Sequence, residues 1–328
     1  MLAAWYDRYG AAAEVLTVGE RPDPVPGPGE VRVKLRYSGV NPSDVKTRGG
    51  VSRPMTGRGM IPDSDGSGVI DQVGPGVPAS RIGQRVWTFN AAYNRTDGTS
   101  AQYVALPDFL APALPDTLDF DQGACLGVPV MTAHRAVFGN GPVQGMDVLV
   151  TGAAGGVGHY AVQLAKWGGA RVIATVSGEE KARHARAAGA DHVVNYRDAD
   201  AAEQIRAATG GKGVDRIVEV DFGGNLPITL KVIKENATIA AYASAGKREP
   251  VLPFYPFMWL NTTLNWILVY SMPDAAKRAA IADIARWAKD TKPVFNIAAR
   301  LPLAEIVRAH ELVESNTKVG QVLLDIPQ

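Results

Sequence analysis

The stretch DVLVTGAAGGVGHYAVQLAKWGGARVIATVSGEEK, residues 147–181, decides the fold. It opens with DVLV, an apolar run of strand length. A glycine-rich turn, TGAAGGVG, occupies 151–158, and HYAVQLAKW then carries apolar residues at helical spacing. ARVIATV reads as a second strand. Strand, bare turn, helix and strand make one βαβ unit, and that context gives the glycine pattern its meaning. Ala153, Gly155 and Gly158 stand at the three positions of a dinucleotide fingerprint, with alanine in the first. Gly155 lets the backbone approach a pyrophosphate, Gly158 lets the helix pack closely on the strand, and the unpaired amides of the first helical turn face the anion.

The same alternation continues downstream. EEKARHARAAGA reads as a helix ended by Gly189, DHVVNY as a strand, AAEQIRAATGGKG as a helix and VDRIVEV as a strand. A helix near 226–234 and the strand ATIAAYA follow. This rhythm predicts a parallel sheet with helices on both faces. Upstream, residues 1 to about 110 are rich in Gly, Pro and β-branched residues. GEVRVKLRYSGV alternates with period two, and GVIDQVGPGV and GQRVWTF read as shorter strands, so an irregular β domain is expected there. DQGACLGVPVMTAHRAVF reads as a helix interrupted around Pro129. The tail offers a Pro-led strand KPVFNIA, a helix PLAEIVRAHELVESN and a strand KVGQVLLDI. These are expected to return to the first domain, so that the dinucleotide domain is an insertion. The expected boundaries are 1–122, 123–272 and 273–328.

Composition narrows the function. The 328 residues exceed one ordinary core. Lys plus Arg number 34 against 33 Asp plus Glu, a net charge of +1, which gives no electrostatic footprint for nucleic acid or an anionic membrane surface. Cys125 is the single cysteine, so no disulfide within the chain and no cysteine-rich metal site is possible. MLAAWYDRYGAAAEVL lacks the pattern of a signal peptide, and a cytoplasmic location is expected. The stretch 251–273, VLPFYPFMWLNTTLNWILVYSMP, carries no charge, but Pro253, Pro256, Asn261 and Asn265 interrupt it; it is expected to form a buried loop and strand rather than a membrane span.

The end of the second strand bears on the choice of dinucleotide. NAD sites place a carboxylate there for the ribose 2′-hydroxyl, whereas this chain has Ser177 and Gly178, with Lys181 four residues on. Ser177 can donate to a 2′-phosphate, Lys181 can neutralise it, and Tyr196 closes the neighbouring strand. The combination points to NADPH, with Glu179 and Glu180 as the opposing feature. Lys181 alone would read as a solvated helix face and Tyr196 as a packing residue.

Taken in order, GVNPSDVKTRGG, PDSDGSGVIDQVGPGV, GQRVW, TGAAGGVG, GADHVVNY and AHELVESNTKVGQVLL resemble the zinc-free medium-chain dehydrogenase/reductases of the NADPH:quinone oxidoreductase or zeta-crystallin type, across nearly the whole chain. The resemblance implies an α/β fold in which a GroES-like β domain carries an inserted Rossmann domain with a doubly wound parallel sheet. It implies that Asn41, Pro42 and Asp44 form the loop beside the nicotinamide, with Thr132 at the same end. Ala154, Gly155, Gly156 and Val157 match the pyrophosphate loop. Ser177, Lys181 and Tyr196 match the 2′-phosphate pocket, and Tyr242 and Ser244 again lie near the nicotinamide. Asn41, Pro42 and Asp44 could equally shape a turn.

Zinc-dependent relatives place a cysteine in the region of Asn41 to Asp44 and Gly-His-Glu where Asp63, Ser64 and Asp65 stand here. No metal is therefore expected, and each of the five histidines reads as a packed or surface residue, His310 above all as packing. Two departures stand out. Lys46 replaces a tyrosine frequent after the Asn-x-x-Asp loop, so no catalytic proton donor is assigned. Asn316 falls where relatives carry an arginine, with Lys318 close by. The implied activity is zinc-independent hydride transfer from NADPH to a quinone. An α,β-unsaturated carbonyl is the alternative acceptor, and a non-catalytic NADPH-binding protein is the alternative of another class. A short-chain dehydrogenase fits TGAAGGVG too, but no Tyr-x-x-x-Lys follows it. A homodimer is expected through Rossmann-domain edge strands, with Leu264, Trp266, Ile267, Leu268, Val269 and Tyr270 in the contact.

Overall fold

A computed structural model describes residues 1–315 and 317–328, so the correspondence of Asn316 lies outside the described residues. The chain forms two compact units, 1–129 with 295–328, and 130–294.

In the first unit β1 (Leu2–Trp5) pairs antiparallel with β2 (Thr17–Glu20). The alternating segment becomes β3 (Glu30–Val40), which pairs antiparallel with β4 (Asp65–Val73), while β5 (Arg85–Thr88) extends β4 and β6 (Tyr103–Pro107) pairs with β3. Val31, Val33 and Leu35 all point to one face, as period two requires, and pack with Ile70, Val86, Val104 and Leu106. The segment after β3, expected to form a loop or turn, is a helix, Pro42–Arg48. Asn41 caps it, and Pro42 at its first position donates no amide where none is needed.

In the second unit β7 (Asp147–Val150), β8 (Arg171–Val176), β9 (His192–Asn195), β10 (Val214–Glu219), β11 (Ile233–Ala241) and β12 (Thr263–Trp266) form one parallel sheet. Its strand order is β12-β11-β10-β7-β8-β9, which puts β12 at an edge. Leu149, Ile173, Ile217 and Ile239 build its centre, and both faces carry helices because every strand between β7 and β11 is followed by one.

Two expectations about the late part of the chain need correction. The return to the first unit falls at 295, not 273. Asp274–Asp290 is a 17-residue helix whose buried Ala280, Ile284, Trp287 and Ala288 recur at helical spacing. It packs on the second unit: His134 meets Asp283 at 2.8 Å, and the Trp287 ring stands edge-on to Tyr160 with centroids 6.4 Å apart. The expected strand at 292–298 also starts late, as β13 (Ile297–Pro302), which pairs parallel with β14 (Gln321–Asp325), itself antiparallel to β3. The Gln163 carboxamide takes both backbone groups of Val294, accepting from its N–H at 2.8 Å and donating to its carbonyl at 2.9 Å, which supplies what a neighbouring strand would have supplied.

The uncharged stretch 251–273 resolves into a short helix, Phe254–Trp259, then β12 and a single 3₁₀ turn at Val269–Ser271. The expectation of a buried loop and strand does not hold for most of it: Phe254, Tyr255, Trp259, Trp266 and Leu268 are all exposed, whereas Ile267, Val269 and Tyr270 are buried. Among the described residues no helix is long and apolar enough to cross a membrane.

Candidate functional site

The glycine turn between β7 and the helix Gly156–Trp167 is held from three sides. Gly155 N–H donates to the Gly152 carbonyl at 2.9 Å, Ala153 N–H to Thr175 of β8 at 3.0 Å, and the Thr151 hydroxyl to Glu219 at 2.8 Å. Gly152 sits at φ 61°, where a side chain is strained. At Gly158 a Cβ would overlap the Gly152 carbonyl oxygen and come within 2.9 Å of Ala153 Cα, so helix and turn touch backbone to backbone. At Gly156 a Cβ would meet nothing within 4 Å, and Gly155 caps the helix with no side chain on its amides. Ala154 is buried, Gly155 is exposed, and Gly156 and Val157 are half-buried. An open cradle of uncapped first-turn amides is what a pyrophosphate requires, so these residues fit the group.

The sheet brings the proposed 2′-phosphate residues to one place. Val176 pairs with Asn195, and the Tyr196 N–H donates to the Val176 carbonyl at 3.0 Å, setting Tyr196 beside the start of the loop after β8. There the Lys181 ammonium donates to the Ser177 hydroxyl at 3.1 Å. Tyr196 is 40% exposed, with the Arg197 guanidinium 6.0 Å from its ring centroid. Arg197 is a second cation at this corner; an arginine directly after the strand-closing tyrosine is the signal that could have pointed to it. Glu179 is occupied by Arg186 at 2.6 Å, on the exposed surface.

At the ends of β10 and β11 lies a residue the sequence reading passed over. Glu219 is fully buried, and one carboxyl oxygen accepts from Thr151, from the Asp221 N–H at 2.7 Å and from the Asn225 amide at 2.7 Å, while Oε2 has no partner. Burial pushes this carboxyl up against those three donors. A glutamate between Val218 and Val220, at the apolar end of the strand VDRIVEV, was the available clue. Tyr242 follows, its N–H bound to the Glu219 carbonyl at 3.1 Å; burial, then the Glu219 charge, raises its hydroxyl. The Ser244 hydroxyl accepts from Gly223 N–H at 2.9 Å and donates to the Lys247 carbonyl at 2.5 Å, so it shapes its own loop. Thr132 is buried near the start of the helix Met131–Phe138.

In the first unit Asn41 and Asp44 are buried and Pro42 is exposed. Asn41 donates from its backbone to Asp44 at 2.9 Å and from its side chain to Asp65 at 2.7 Å. Asp63, at φ 70°, Ser64 and Asp65 are fully buried beside them. Burial pushes Asp65 up to about 8 despite donors from Asn41 and the Val128 N–H, and burial followed by the charges of Asp63 and Asp65 raises Asp44 well above the usual range. His310 is buried as expected, but among charges: Arg48 donates to its Nδ1 at 3.3 Å, and its Nε2 lies 3.5 Å from Asp63. No group of three or more His, Cys, Asp or Glu side chains that could hold a metal ion occurs among the described residues.

Comparison with known proteins agrees with this architecture. Residues 27–116 match the alcohol dehydrogenase GroES-like domain and residues 156–286 match the zinc-binding dehydrogenase family. The quinone oxidoreductase of Rattus norvegicus is 32% identical over 305 residues, covering 92% of this chain and 90% of that one. The 2-haloacrylate reductase of a Burkholderia species is 30% identical, with 92% of each chain covered. Among solved structures, an NAD-dependent alcohol dehydrogenase superposes with a TM-score of 0.91 at 32% identity over the whole of both chains. A mycobacterial protein in complex with NADPH does so with a TM-score of 0.85 at 28% identity over 99% of each. Sharing both domains in the same order, with identity above 30% across nine-tenths of a relative's length, the chain belongs to the medium-chain dehydrogenase/reductase family and is a nicotinamide-dependent oxidoreductase.

Proposed function

We propose that the protein reduces a quinone with NADPH and does so without zinc. The observation that carries the NADPH part is the corner where Lys181 and Ser177 meet beside Tyr196, with no carboxylate at the end of β8. The zinc-free part rests on residue type: Asn41, Asp44 and Ser64 occupy the region where zinc-dependent relatives carry their ligands, and neither asparagine nor serine is a usual zinc ligand. Without a Lewis acid, the suitable acceptors are those that stabilise added charge themselves, and the likeness to quinone oxidoreductases supports a quinone.

Bound NADPH supplies the hydride. The loop of Ala154, Gly155, Gly156 and Val157 would hold its pyrophosphate, Ser177, Lys181 and Tyr196 would hold the 2′-phosphate, and Asn41, Pro42, Asp44, Thr132, Tyr242 and Ser244 would belong to the nicotinamide end. Glu219 fixes Thr151 and so keeps the turn in register with β10. Reduction of an activated alkene is the second reading, favoured by the likeness to the 2-haloacrylate reductase. A cytoplasmic location suits the lone buried Cys125.

We propose further that two copies pair through the exposed edge of β12, where Trp266 and Leu268 and, on the preceding helix, Phe254, Tyr255 and Trp259 leave apolar surface in water.

The deciding experiment assays quinones, enones and enals with NADPH and with NADH. Turnover of quinones with NADPH preferred is the expected result. Activity confined to alkenes selects the second reading, and equal use of NADH overturns the cofactor assignment.

A further inference from the structure

Three carboxyl groups, Asp44, Asp63 and Asp65, are buried together in the first unit, 3%, 0% and 0% exposed. Their hydrogen bonding is incomplete. Asp44 accepts from Asn41 N–H at 2.9 Å and distantly from the Ser64 hydroxyl at 3.5 Å. Asp65 accepts from Asn41 at 2.7 Å and Val128 N–H at 2.8 Å, both on Oδ2. Asp63 accepts from Ser100 on Oδ2. Oδ1 of both Asp63 and Asp65 is buried without a donor. His310, fully buried, is aimed into the cluster: Arg48 donates to Nδ1, so the ring proton sits on Nε2, which makes no hydrogen bond and stands 3.5 Å from Asp63 Oδ1.

The charges around the cluster do not match three anions. Arg48 is buried, but Glu314 and the Gly10 carbonyl share its guanidinium. Arg53 is the cation whose charge reaches Asp44, and the Tyr6 hydroxyl, pushed up to about 12 by burial and then by the Asp44 charge, stays neutral beside it. Three carboxylates out of water, with Arg48 shared among other acceptors and Arg53 the other cation, are unfavourable, and the inexpensive remedy is to retain a proton. The upward shifts of Asp44 and Asp65 agree with that remedy.

We propose that this cluster holds one proton at neutral pH and delivers it through Asp44 to the reduced acceptor, making Asp44 the proton donor and Asp63 and Asp65 the positioning residues that keep it protonated. The proposal rests on the reading of residues 41–44 as the loop beside the nicotinamide. When hydride adds to the β-carbon of an enone, the alkene pair moves to the enolate. The Asp44 O–H bond then breaks, its electron pair stays on the carboxylate, and the proton goes to the enolate α-carbon. With a quinone the same proton goes to the oxygen of the hydroquinone anion. Water reprotonates Asp44 before the next turnover.

The test uses the whole protein with NADPH, an enone and a quinone. Oxygen takes a proton from water rapidly and carbon does so slowly, so Asp44→Asn is expected to slow enone reduction by ~100-fold or more, the usual worth of a general acid. The quantity read is the ratio of enone to quinone turnover within one variant at saturating NADPH, which a general loss of cofactor binding does not move and the loss of a proton donor lowers. The alkaline fall of kcat for the enone should disappear in Asp44→Asn. In Asp65→Asn, which removes a neighbouring negative charge, that fall should move to lower pH with the acid-side rate retained. Infrared titration without cofactor supplies an independent readout: the carbonyl stretch of a protonated carboxyl, present at pH 7, should weaken in either variant. An Asp44→Asn enzyme that reduces the enone at the wild-type rate overturns the proposal, as does the absence of a protonated carboxyl at pH 7. If Asp44→Asn does not fold, Asp65→Asn and the wild-type infrared titration still decide it. A protein that shows the protonated carboxyl but reduces no acceptor with NADPH defeats the functional reading and, with it, the role of Asp44 as donor, leaving only the retained proton.

Discussion

Gly156 and Gly158 lie two residues apart in one helical turn, yet alanine should act on them in different ways. At Gly158 a Cβ overlaps the Gly152 carbonyl oxygen and lies 2.9 Å from Ala153 Cα. Both are backbone atoms, so neither can swing away as a side-chain tip would. Overpacking of this kind costs ~1–3 kcal/mol. The better helix propensity of alanine offsets about 1 kcal/mol of that, leaving a net loss of about 1 kcal/mol. In a chain of this size that lowers Tm by ~2–4 °C. At Gly156 the Cβ meets nothing within 4 Å, so stability should hold or rise slightly. Both methyl groups nevertheless disturb the surface that faces the pyrophosphate. One lost charge-assisted hydrogen bond is worth ~1.5–3 kcal/mol, a rise of roughly 10- to 100-fold in the NADPH Kd. Gly158→Ala should therefore lose stability and affinity, Gly156→Ala affinity alone. Thermal unfolding without nucleotide measures the first quantity and titration of NADPH fluorescence the second. A Gly156→Ala protein that binds NADPH like wild type would refute the pyrophosphate cradle, and a Gly158→Ala protein that melts like wild type would refute the packing argument.

Further expectations concern charge and assembly. Lys181→Ala should raise the NADPH KM by ~10- to 100-fold and leave NADH nearly untouched, and equal losses with both would make Lys181 a support of the fold. Burial raises both Asp44 and Asp65, the latter to about 8, so the cluster keeps in the folded state one proton that the unfolded chain has lost above the usual 3.8. Its contribution is complete below pH ~4 and is lost as pH rises toward 8; urea unfolding across that range should show stability falling, and Asp65→Asn, which leaves Asp44 with fewer charges beside it, should end that fall at a lower pH. A charge at Trp266 or Leu268 should yield a folded monomer by light scattering, whereas a charge at buried Ile267 should damage the subunit itself. A native protein already monomeric would dispose of the proposed dimer.

Patterns that repeat along the chain were legible without coordinates. The turn at 151–158 announced itself because glycine is demanded wherever backbone meets backbone, and the strands β7 to β11 because parallel strands are apolar on both faces. Ser177 and Tyr196 could be placed together because a βαβ unit fixes which residues follow adjacent strands, and Lys181 because it lies one helical turn beyond Ser177. The helix Asp274–Asp290 escaped notice although its buried positions recur at helical spacing, and with it the true return at 295. Leu264 to Tyr270 read as one apolar run, yet only the backbone path decides that Trp266 and Leu268 face water while Ile267 does not. The carboxyl cluster shows the same limit more sharply. Asp44, Asp63 and Asp65 are ordinary acidic residues in the sequence, His310 lies some 250 positions away, and nothing local marks any of them. A carboxyl group departs from its solution behaviour only when water is removed and other charges are set beside it, and both conditions arise from long-range packing.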